Sequence, residues 1–198
     1  DMIILPGTKS TIADLRWLRQ CGLEAAIHKA ANAGTLVFGV CGGYQMLGRT
    51  VSDPEQVEAA GTTEILGMGL LEMDTIFLGE KVQIQTTGVF YGISGMLSDL
   101  NGMAYSGYEI HMGRSEEEMS ALTGADNVYG SYVHGIFDAS GISDTILKAI
   151  CVKKGIDFDA LETFDISEYK ERQYDLLADA VRSGLDMEFI YRILNREV

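Results

Sequence analysis

The stretch from Gly34 to Gly48 constrains this chain most, because it predicts a strand, a sharp turn and a helix in direct succession. The apolar run Leu36–Val40 indicates a buried strand, and a helical segment is expected over 44–47. Between them lies Gly39-Val40-Cys41-Gly42-Gly43, a G-x-C-x-G pattern. Strand, glycine-flanked turn and helix are the geometry of a nucleophile elbow, here with cysteine in place of serine. The pattern therefore predicts Cys41 as a catalytic nucleophile.

The chemistry of an elbow predicts a role for two groups around the turn. Cys41 would lie at the N-terminus of the helix, where the dipole favours an anion, so we expect a lowered thiol pKa. The backbone N–H of Gly42 would point toward a developing oxyanion. The alternative is a buried structural cysteine, since a free cysteine often behaves as a small hydrophobic residue. Cys21 and Cys151 have no comparable setting, because they lie at a helix break and in an amphipathic helix.

Charge and cysteine content exclude several classes of function. The chain has 198 residues, enough for one substantial α/β domain, and a net charge of −14. That charge argues against a nucleic-acid partner or an anionic membrane partner. Three cysteines without paired spacing indicate a reducing compartment. The sequence has no run of about 18 apolar residues and no signal-peptide pattern, so a cytoplasmic location is expected. No Cys/His cluster has zinc spacing, so we expect no metal site.

Ahead of the elbow the sequence predicts a second loop at the same edge of a sheet. Met2–Leu5 reads as a strand, residues 6–9 as a turn, and 11–30 as helical, with a possible break at Gly22. Thr11-x-x-Asp14 fits a capping box at the start of that helix. The result is a βαβ unit with two glycine-containing loops at one strand edge, which is where open parallel sheets form sites. Because Asp1 runs directly into a strand, we expect a chain cut from a longer protein.

The remaining sequence predicts an antiparallel region and several helices. The expected elements are a loop over 51–66, a hairpin of strands 68–77 and 81–90, strands 105–113 and 128–133, a helix over 142–154, and one or two helices over 166–195 with a break near Gly184. In strand 105–113 the alternation places Glu109 and His111 on one face, and Tyr108 on the other.

A cysteine nucleophile needs a base, and His134 is the best placed of the three histidines at 28, 111 and 134. It ends a predicted strand, and a histidine at that edge can face a nucleophile from a neighbouring strand. The turn at Gly7, the elbow and His134 then converge on one edge of the sheet. The alternative is an ordinary surface or core histidine.

Several stretches together resemble a known family. They are Leu5-Pro-Gly-Thr-Lys-Ser-Thr, Val40-Cys-Gly-Gly-Tyr-Gln-Met-Leu-Gly48, Gly67-Met-Gly-Leu-Leu71 with Asp74-Thr75, Gly107-Tyr-Glu-Ile-His-Met-Gly113 and Tyr132-Val-His-Gly-Ile-Phe-Asp138. In this order they resemble class I (triad-type) glutamine amidotransferase domains, and more narrowly the C-terminal amidotransferase domain of cobyric acid synthases.

The resemblance implies an α/β fold. It is a flavodoxin-like three-layer sandwich with a mainly parallel central sheet, an antiparallel extension around residues 68–113 and C-terminal helices. The whole chain, 1–198, would be one glutamine amidotransferase domain, with a core at 1–155 and a helical extension at 156–198. The family's first strand and helix, which precede the Pro-Gly turn, would be missing.

The resemblance also implies roles for individual residues. Cys41 would attack the side-chain amide of glutamine, and His134 would carry the proton to departing ammonia. The N–H of Gly42 and one from the Gly7–Thr8 turn would form the oxyanion hole. Gln45 and Tyr44 would help hold glutamine, although an ordinary helical role is the alternative for Gln45.

The implied partner is an N-terminal ATP-dependent synthetase domain, which would use the ammonia to amidate carboxylates of a corrinoid in cobalamin biosynthesis. ATP and Mg²⁺ would bind there, and no cofactor is expected in this domain, which has no phosphate-binding G-x-x-x-x-G-K-[ST] loop. Two alternatives remain: an amidotransferase for another synthetase, such as one for cell-wall glutamate amidation, and a catalytically silent docking fragment.

One position departs from the general family pattern. Most class I members carry a glutamate two residues after the histidine, and Ile136 stands there in this chain. The site is then either a Cys-His dyad or takes its orienting acid from elsewhere. Glu109 is the possible orienting acid, with Asp138 as a second, and a structural or solvated role is the alternative for each.

Overall fold

The computed structural model describes residues 1–58, 61, 63–115, 120–160 and 166–197. In chain order their elements are β1 (Met2–Leu5), α1 (Thr11–Gln20), α2 (Leu23–Asn32), β2 (Leu36–Val40), α3 (Gly42–Leu47), β3 (Thr50–Ser52), β4 (Glu64–Leu66), β5 (Asp74–Val89), β6 (Ala104–Ser115), β7 (Thr123–Ala125), β8 (Val128–Ser131), α4 (Ile142–Lys154), α5 (Ile166–Gly184) and α6 (Met187–Leu194). Contacts divide the chain into two units, Asp1–Leu161 and Glu162–Val198.

The first sheet places three loops at one edge. Its strand order is β1-β2-β8-β7, with β1, β2 and β8 parallel and β7 antiparallel to β8. Leu5 pairs with Gly39 and Gly39 with Gly130, so the three parallel strands end together. The loops that follow them carry Gly7, Cys41 and His134. The predicted mainly parallel central sheet and its edge of converging loops are confirmed.

Helices cover both faces of this sheet. Successive side chains of a strand point to opposite faces, and β2 shows this in its packing. Val37 belongs to a buried cluster with Leu15 of α1 and Ile27 of α2. Phe38 belongs to another cluster with Ile146 of α4. The unit is therefore a three-layer α/β/α sandwich, as predicted.

The second sheet corrects the expected strand boundaries. Its order is β4-β3-β5-β6, and β5 and β6 form a long antiparallel ladder. The predicted hairpin of 68–77 and 81–90 is wrong, because 74–89 is one strand whose partner is β6. The ladder absorbs the intervening glycine and charged residues as a register shift between Ile76 and Lys81, not as a turn. The expected loop over 51–66 is also partly wrong, since β3 and β4 lie at its two ends.

The helix boundaries agree better with the sequence. Gly22 separates α1 from α2 with a left-handed φ of 80°, and α5 ends at Gly184 as expected. The capping box at Thr11 is wrong: Ser10 is the N-cap without a side-chain bond, and the Asp14 carboxylate accepts from the Thr8 hydroxyl.

The second unit contains α5 and α6. Asp186 caps α6 by accepting from the Phe189 N–H at 2.9 Å, and both helices carry exposed large apolar side chains, such as Leu177 and Leu194. In the part of the chain that is described, no helix is both long and apolar enough to cross a membrane.

Candidate active site

The turn at Cys41 has a strained backbone. Cys41 adopts φ 52° and ψ −112°, a conformation that side chains rarely take and that costs on the order of 1–3 kcal/mol. The helix α3 begins immediately afterwards at Gly42, two residues earlier than predicted. A Cβ at Gly43 would overlap the carbonyl oxygen of Leu5, so only glycine lets α3 pack this closely on β1. This is the geometry of the elbow that the sequence predicted.

Gly7 lies against both proposed catalytic residues. A Cβ built on Gly7 would lie 3.1 Å from His134 Cε1 and 3.5 Å from Cys41 Cβ. The turn after β1, the elbow after β2 and the loop after β8 therefore meet at one point. The structure thus brings together Gly7, Cys41 and His134, which were proposed from separate parts of the sequence.

The strand β6 of the second sheet holds the His134 loop in place. His134 lies three residues beyond β8, which ends at Ser131 and not at the predicted Val133. Its N–H donates to the Tyr108 carbonyl at 2.8 Å, and its carbonyl accepts from the Tyr108 N–H at 3.2 Å. The two rings stack with centroids 5.1 Å apart and planes 6° apart. His134 Nε2 is buried and has no hydrogen-bond partner among the described residues.

The thiol of Cys41 is buried, with 6% of the residue exposed. Burial raises the pKa of Cys41, and a hydrogen bond with the Gly42 backbone opposes this effect without reversing it. The predicted lowering of the thiol pKa is therefore wrong, because the desolvation of the buried thiol outweighs the hydrogen bond with Gly42. Cys41 Sγ lies 3.5 Å from the Ile110 carbonyl oxygen, which is placed to accept the thiol proton in a hydrogen bond.

The imidazole of His134 is held toward its neutral form. Burial lowers the pKa of His134, and nearby His111 lowers it further. Glu109 and the backbone of Ile110 act in the opposite direction. A neutral imidazole beside a protonated thiol is the resting pair that a general base requires.

Glu109 contacts another histidine. Its Oε2 lies 3.4 Å from Nε2 of His111, whose Nδ1 is 2.9 Å from the Gly113 carbonyl. The His111 ring stacks on Tyr132 with centroids 3.9 Å apart. The possible orienting acid therefore acts on His134 through space, while its own contact fixes the buried His111. Asp138, the second acid, lies in the turn that follows Gly135.

The two proposed oxyanion donors come from backbones that lie close together. A Cβ at Gly42 would lie 3.1 Å from the backbone nitrogen of Thr8. The Thr8 hydroxyl donates to Asp14 and accepts from the Ser10 N–H at 3.1 Å, which fixes the turn. The backbones of Gly42 and Thr8, which belong to different loops, thus lie next to each other beside Cys41.

Gln45 and Tyr44 occupy different places. Gln45 lies in the wall of the cavity next to Cys41, where its Nε2 donates to the Met112 carbonyl at 3.0 Å and its Oε1 accepts from the Thr11 hydroxyl at 3.1 Å. Tyr44 is buried with its ring edge against Tyr132, at a centroid distance of 5.0 Å. It lines a separate cavity of about 340 Å³ and does not line the one next to Cys41.

The cavity next to Cys41 has a volume of about 400 Å³. Its walls come from the turn after β1, the elbow, β5, β6 and the segment after β3, and its lining residues are Thr8, Lys9, Thr11, Cys41, Gln45, Val57, Glu58, Phe77, Lys81, Ile110, His111 and Met112. The size suits a small polar molecule such as an amino acid.

Sequence reasoning missed Glu58, which lies in the segment expected to be a loop. Its carboxylate accepts from the backbone N–H groups of Thr11 and Ile12, the latter at 3.1 Å, and so caps α1. The buried Asp53 shapes this segment by accepting from the N–H groups of Val57 and Glu58 at 2.8 and 3.0 Å. An aspartate four residues before Val57 was the only local signal for such a turn. Burial raises the pKa of Glu58.

Comparison with known proteins places the chain in a family. Residues 1–142 match the model of the CobB/CobQ-like glutamine amidotransferase domain. A cobyric acid synthase of Lachnoclostridium phytofermentans is 49% identical over 223 residues, which cover 100% of this chain and 43% of that protein. One of Ruminiclostridium cellulolyticum is 42% identical over 217 residues, which cover 100% and 42%. The chain thus spans less than half the length of these relatives.

A solved structure described as a glutamine amidotransferase aligns with 78% of this chain and 79% of its own, at 18% identity and a TM-score of 0.49. The family match and the relatives confirm the resemblance that the motifs indicated. This chain belongs to the CobB/CobQ-like glutamine amidotransferase domains.

Proposed function

We propose that this chain hydrolyses glutamine with Cys41 as nucleophile and His134 as base, and that the ammonia serves the synthesis of cobyric acid. The observation that carries the proposal is the contact of Gly7 with both residues, which joins a strained cysteine to a neutral histidine beside a cavity of amino-acid size. The names of the relatives supply the second half of the proposal.

The first half-reaction forms a thioester. His134 takes the proton of the Cys41 thiol as the sulphur attacks the side-chain amide carbon of glutamine. The resulting oxyanion accepts hydrogen bonds from the N–H groups of Gly42 and Thr8. The imidazolium then protonates the amide nitrogen, the carbon–nitrogen bond breaks, and ammonia leaves a γ-glutamyl thioester on Cys41.

The second half-reaction regenerates the thiol. His134, neutral again, takes a proton from water as the water oxygen attacks the thioester carbon. The oxyanion collapses, the carbon–sulphur bond breaks, and the sulphur takes the proton from the imidazolium. Glutamate leaves, and the buried thiol returns to its protonated form, which its raised pKa favours.

Two residues after His134, where most class I members carry a glutamate, this chain has Ile136. The Ile136 side chain is buried in the core. Two contacts support an imidazole that is oriented without that glutamate. Tyr108 stacks on the ring, and its backbone N–H and carbonyl hydrogen-bond the backbone of His134. The pair thus acts as a dyad held by β6, with Glu109 contributing an electrostatic effect only.

We propose that the ammonia is used by an ATP-dependent synthetase part, with Mg²⁺, that corresponds to the remainder of the longer relatives and amidates corrinoid carboxylates. The proposal includes a cytoplasmic location, because three cysteines without paired spacing indicate a reducing compartment. Free ammonia is lost to water, so we expect weak glutaminase activity from this chain alone and higher activity with the synthetase part, corrinoid and ATP.

The test compares two nitrogen sources in the assembled system. Amidation of the corrinoid should require Cys41 when glutamine is supplied, and should not require it when ammonium salt is supplied. The Cys41→Ala protein serves as the variant, and co-elution with the synthetase part shows that the complex forms. Loss of the ammonia-driven reaction in an assembled complex would contradict the proposal. So would glutamine-driven amidation without Cys41.

A further inference from the structure

We propose that Tyr132 is a positioning residue for the substrate, because its hydroxyl orients the side-chain amide of Gln45. This inference rests on the proposed function and on Gln45 as a residue that binds the substrate. Tyr132 lies just after β8 and two residues before His134. It does not line the cavity next to Cys41, whereas Gln45 does. Tyr132 therefore acts on the substrate through Gln45.

The amide of Gln45 is held by three partners. Its Nε2 donates to the Met112 carbonyl at 3.0 Å and to the Tyr132 hydroxyl at 3.4 Å. An amide nitrogen has two hydrogens, so both are used within the protein. Its Oε1 accepts from the Thr11 hydroxyl at 3.1 Å and keeps a second lone pair. Gln45 therefore offers the cavity a hydrogen-bond acceptor and no donor.

The Tyr132 hydroxyl fixes the plane of this amide. The Met112 carbonyl holds only one of the two hydrogens, which by itself leaves the amide able to turn about that hydrogen bond. The Tyr132 hydroxyl holds the second hydrogen and so prevents the turn. With the amide plane fixed, the free lone pair of Oε1 keeps one direction. A recognition group that is already oriented binds its ligand at a lower entropic cost.

The hydroxyl is in turn held by the second sheet. Its oxygen lies 2.6 Å from Oγ of Ser115 in β6, which lies 3.1 Å from Oγ1 of Thr75 in β5. Because the Tyr132 oxygen accepts from Gln45, its own proton is available to Ser115. Burial raises the pKa of Tyr132 to about 12, so the hydroxyl keeps that proton at neutral pH.

Packing holds the ring as firmly as the hydroxyl. Tyr132 is buried, its ring stacks on His111 with centroids 3.9 Å apart, and the ring edge contact with Tyr44 has a centroid distance of 5.0 Å. Phenylalanine at this position would keep both ring contacts and lose only the hydroxyl. The chain therefore offers a substitution that removes the proposed interaction and little else.

The experiment measures glutamine hydrolysis by Tyr132→Phe. KM for glutamine should rise by roughly 3–10-fold, which is the range for one neutral hydrogen bond. The value of kcat should stay nearly the same, because a binding contact that is present before and during the reaction affects KM alone. An unchanged KM, or a fall in kcat without a rise in KM, would overturn the inference.

A double variant separates positioning from a general effect on the fold. Gln45→Met removes the amide and keeps a side chain of similar length. If Tyr132 acts through Gln45, adding Tyr132→Phe to Gln45→Met should change kcat/KM by less than about twofold, because the two substitutions break the same interaction. The ratio kcat/KM serves even where glutamine does not saturate the variants. A loss that is as large in the Gln45→Met background as in the unmodified protein would overturn the inference.

Tyr129→Phe is the matched control. Tyr129 is also buried, and its hydroxyl donates to the Ser94 carbonyl at 2.6 Å and accepts from the Leu97 N–H at 3.1 Å. It lines neither the cavity next to Cys41 nor the one that Tyr44 lines. The control therefore loses a buried tyrosine hydroxyl without touching Gln45, and its KM should not change. A rise in KM equal to that of Tyr132→Phe would overturn the inference.

Direct binding separates this inference from the proposed function. Calorimetry on Cys41→Ala measures the affinity for glutamine without turnover. If the protein releases no ammonia from glutamine, the proposed function fails. A weaker affinity in Cys41→Ala/Tyr132→Phe than in Cys41→Ala would still support the role of Tyr132. Equal affinities in the two variants, or no binding of glutamine in either, would overturn it.

Discussion

The two ends of the cavity are built in opposite ways. At the reaction end Cys41 has a strained backbone and a buried thiol, and His134 Nε2 is buried without a partner among the described residues. At the recognition end the proposed glutamine-binding residue Gln45 is held by hydrogen bonds with Thr11 and Met112. Glu58 in the same cavity wall accepts from the N–H groups of Thr11 and Ile12. At the reaction end His134 Nε2 has no partner among the described residues, whereas at the recognition end the polar groups have their partners in place.

This difference reflects what each end has to do. A nucleophile and base must change bonding partners during the reaction, so strong partners in the resting state would slow them. A recognition group works best when it is already oriented, because ordering it on binding costs free energy. The predictions below test whether the two ends separate in this way.

The largest effect is expected for Cys41→Ala. Glutamine hydrolysis should fall by roughly 10⁴-fold or more, because the variant has no nucleophile to form the thioester. The affinity for glutamine should stay close to that of the unmodified protein. Ammonia release and calorimetry measure the two quantities, and Cys21→Ala at an exposed position is the control. A comparable loss of affinity would mean that the ends are not separable.

His134→Ala should reduce kcat by ~10²–10⁴-fold, the usual contribution of a general base. Glu109→Gln should retain most of the activity, because its nearest partner is His111 and not His134. Single-turnover formation of the thioester measures the step directly. If Glu109→Gln loses as much as His134→Ala, Glu109 is a third member of the catalytic group, and the dyad interpretation is wrong.

The strain at Cys41 should appear in stability. Glycine adopts a φ of 52° readily, whereas alanine does not, so Cys41→Gly should be more stable than Cys41→Ala by about 1–3 kcal/mol. Chemical denaturation of the two variants measures the difference. The same pair at Cys151, inside α4, should show the reverse order, because glycine is unfavourable in a helix. Equal stabilities of the Cys41 pair would remove the evidence for strain.

The smallest effect is expected in the pH dependence. Burial lowers the pKa of His134, so its neutral, active form persists to more acidic pH than for an ordinary histidine. The acid limb of kcat/KM should therefore have its midpoint below about 6.5. Glu109 raises the pKa of His134, so Glu109→Gln should move that midpoint to still lower pH. A midpoint above 6.5, or a shift upward in the variant, would contradict these electrostatics.

The sequence predicted the reaction end better than the recognition end. The elbow, the turn at Gly7 and His134 follow strands whose apolar runs and glycines are local signals, and parallel strands bring their ends together. The carbonyls of Ile110 and Met112 carry no such signal, because every residue has a carbonyl. Glu58 depends on a long-range contact with α1, and a polar segment gives no sign of which distant N–H groups it will meet.

The same reason explains the errors in the second sheet. Gly79 and Glu80 look like turn residues locally, yet the ladder to β6 continues past them with a register shift. The thiol pKa also depended on tertiary context, since it is burial of Cys41 in the folded chain that raises this pKa. Local patterns thus located the elements, and packing decided their boundaries and their electrostatics.

The most direct test of the central claim is covalent labelling with an alkylating glutamine analogue, followed by mass spectrometry of the peptides. We predict a single label on Cys41, formed near neutral pH and blocked by excess glutamine, with none on the buried Cys151 or on the exposed Cys21. The exposed thiol is the internal control for nonspecific alkylation. Labelling of Cys21 or Cys151 to the same extent as Cys41, or labelling of Cys41 that glutamine does not block, would contradict the assignment of Cys41 as the glutamine-directed nucleophile.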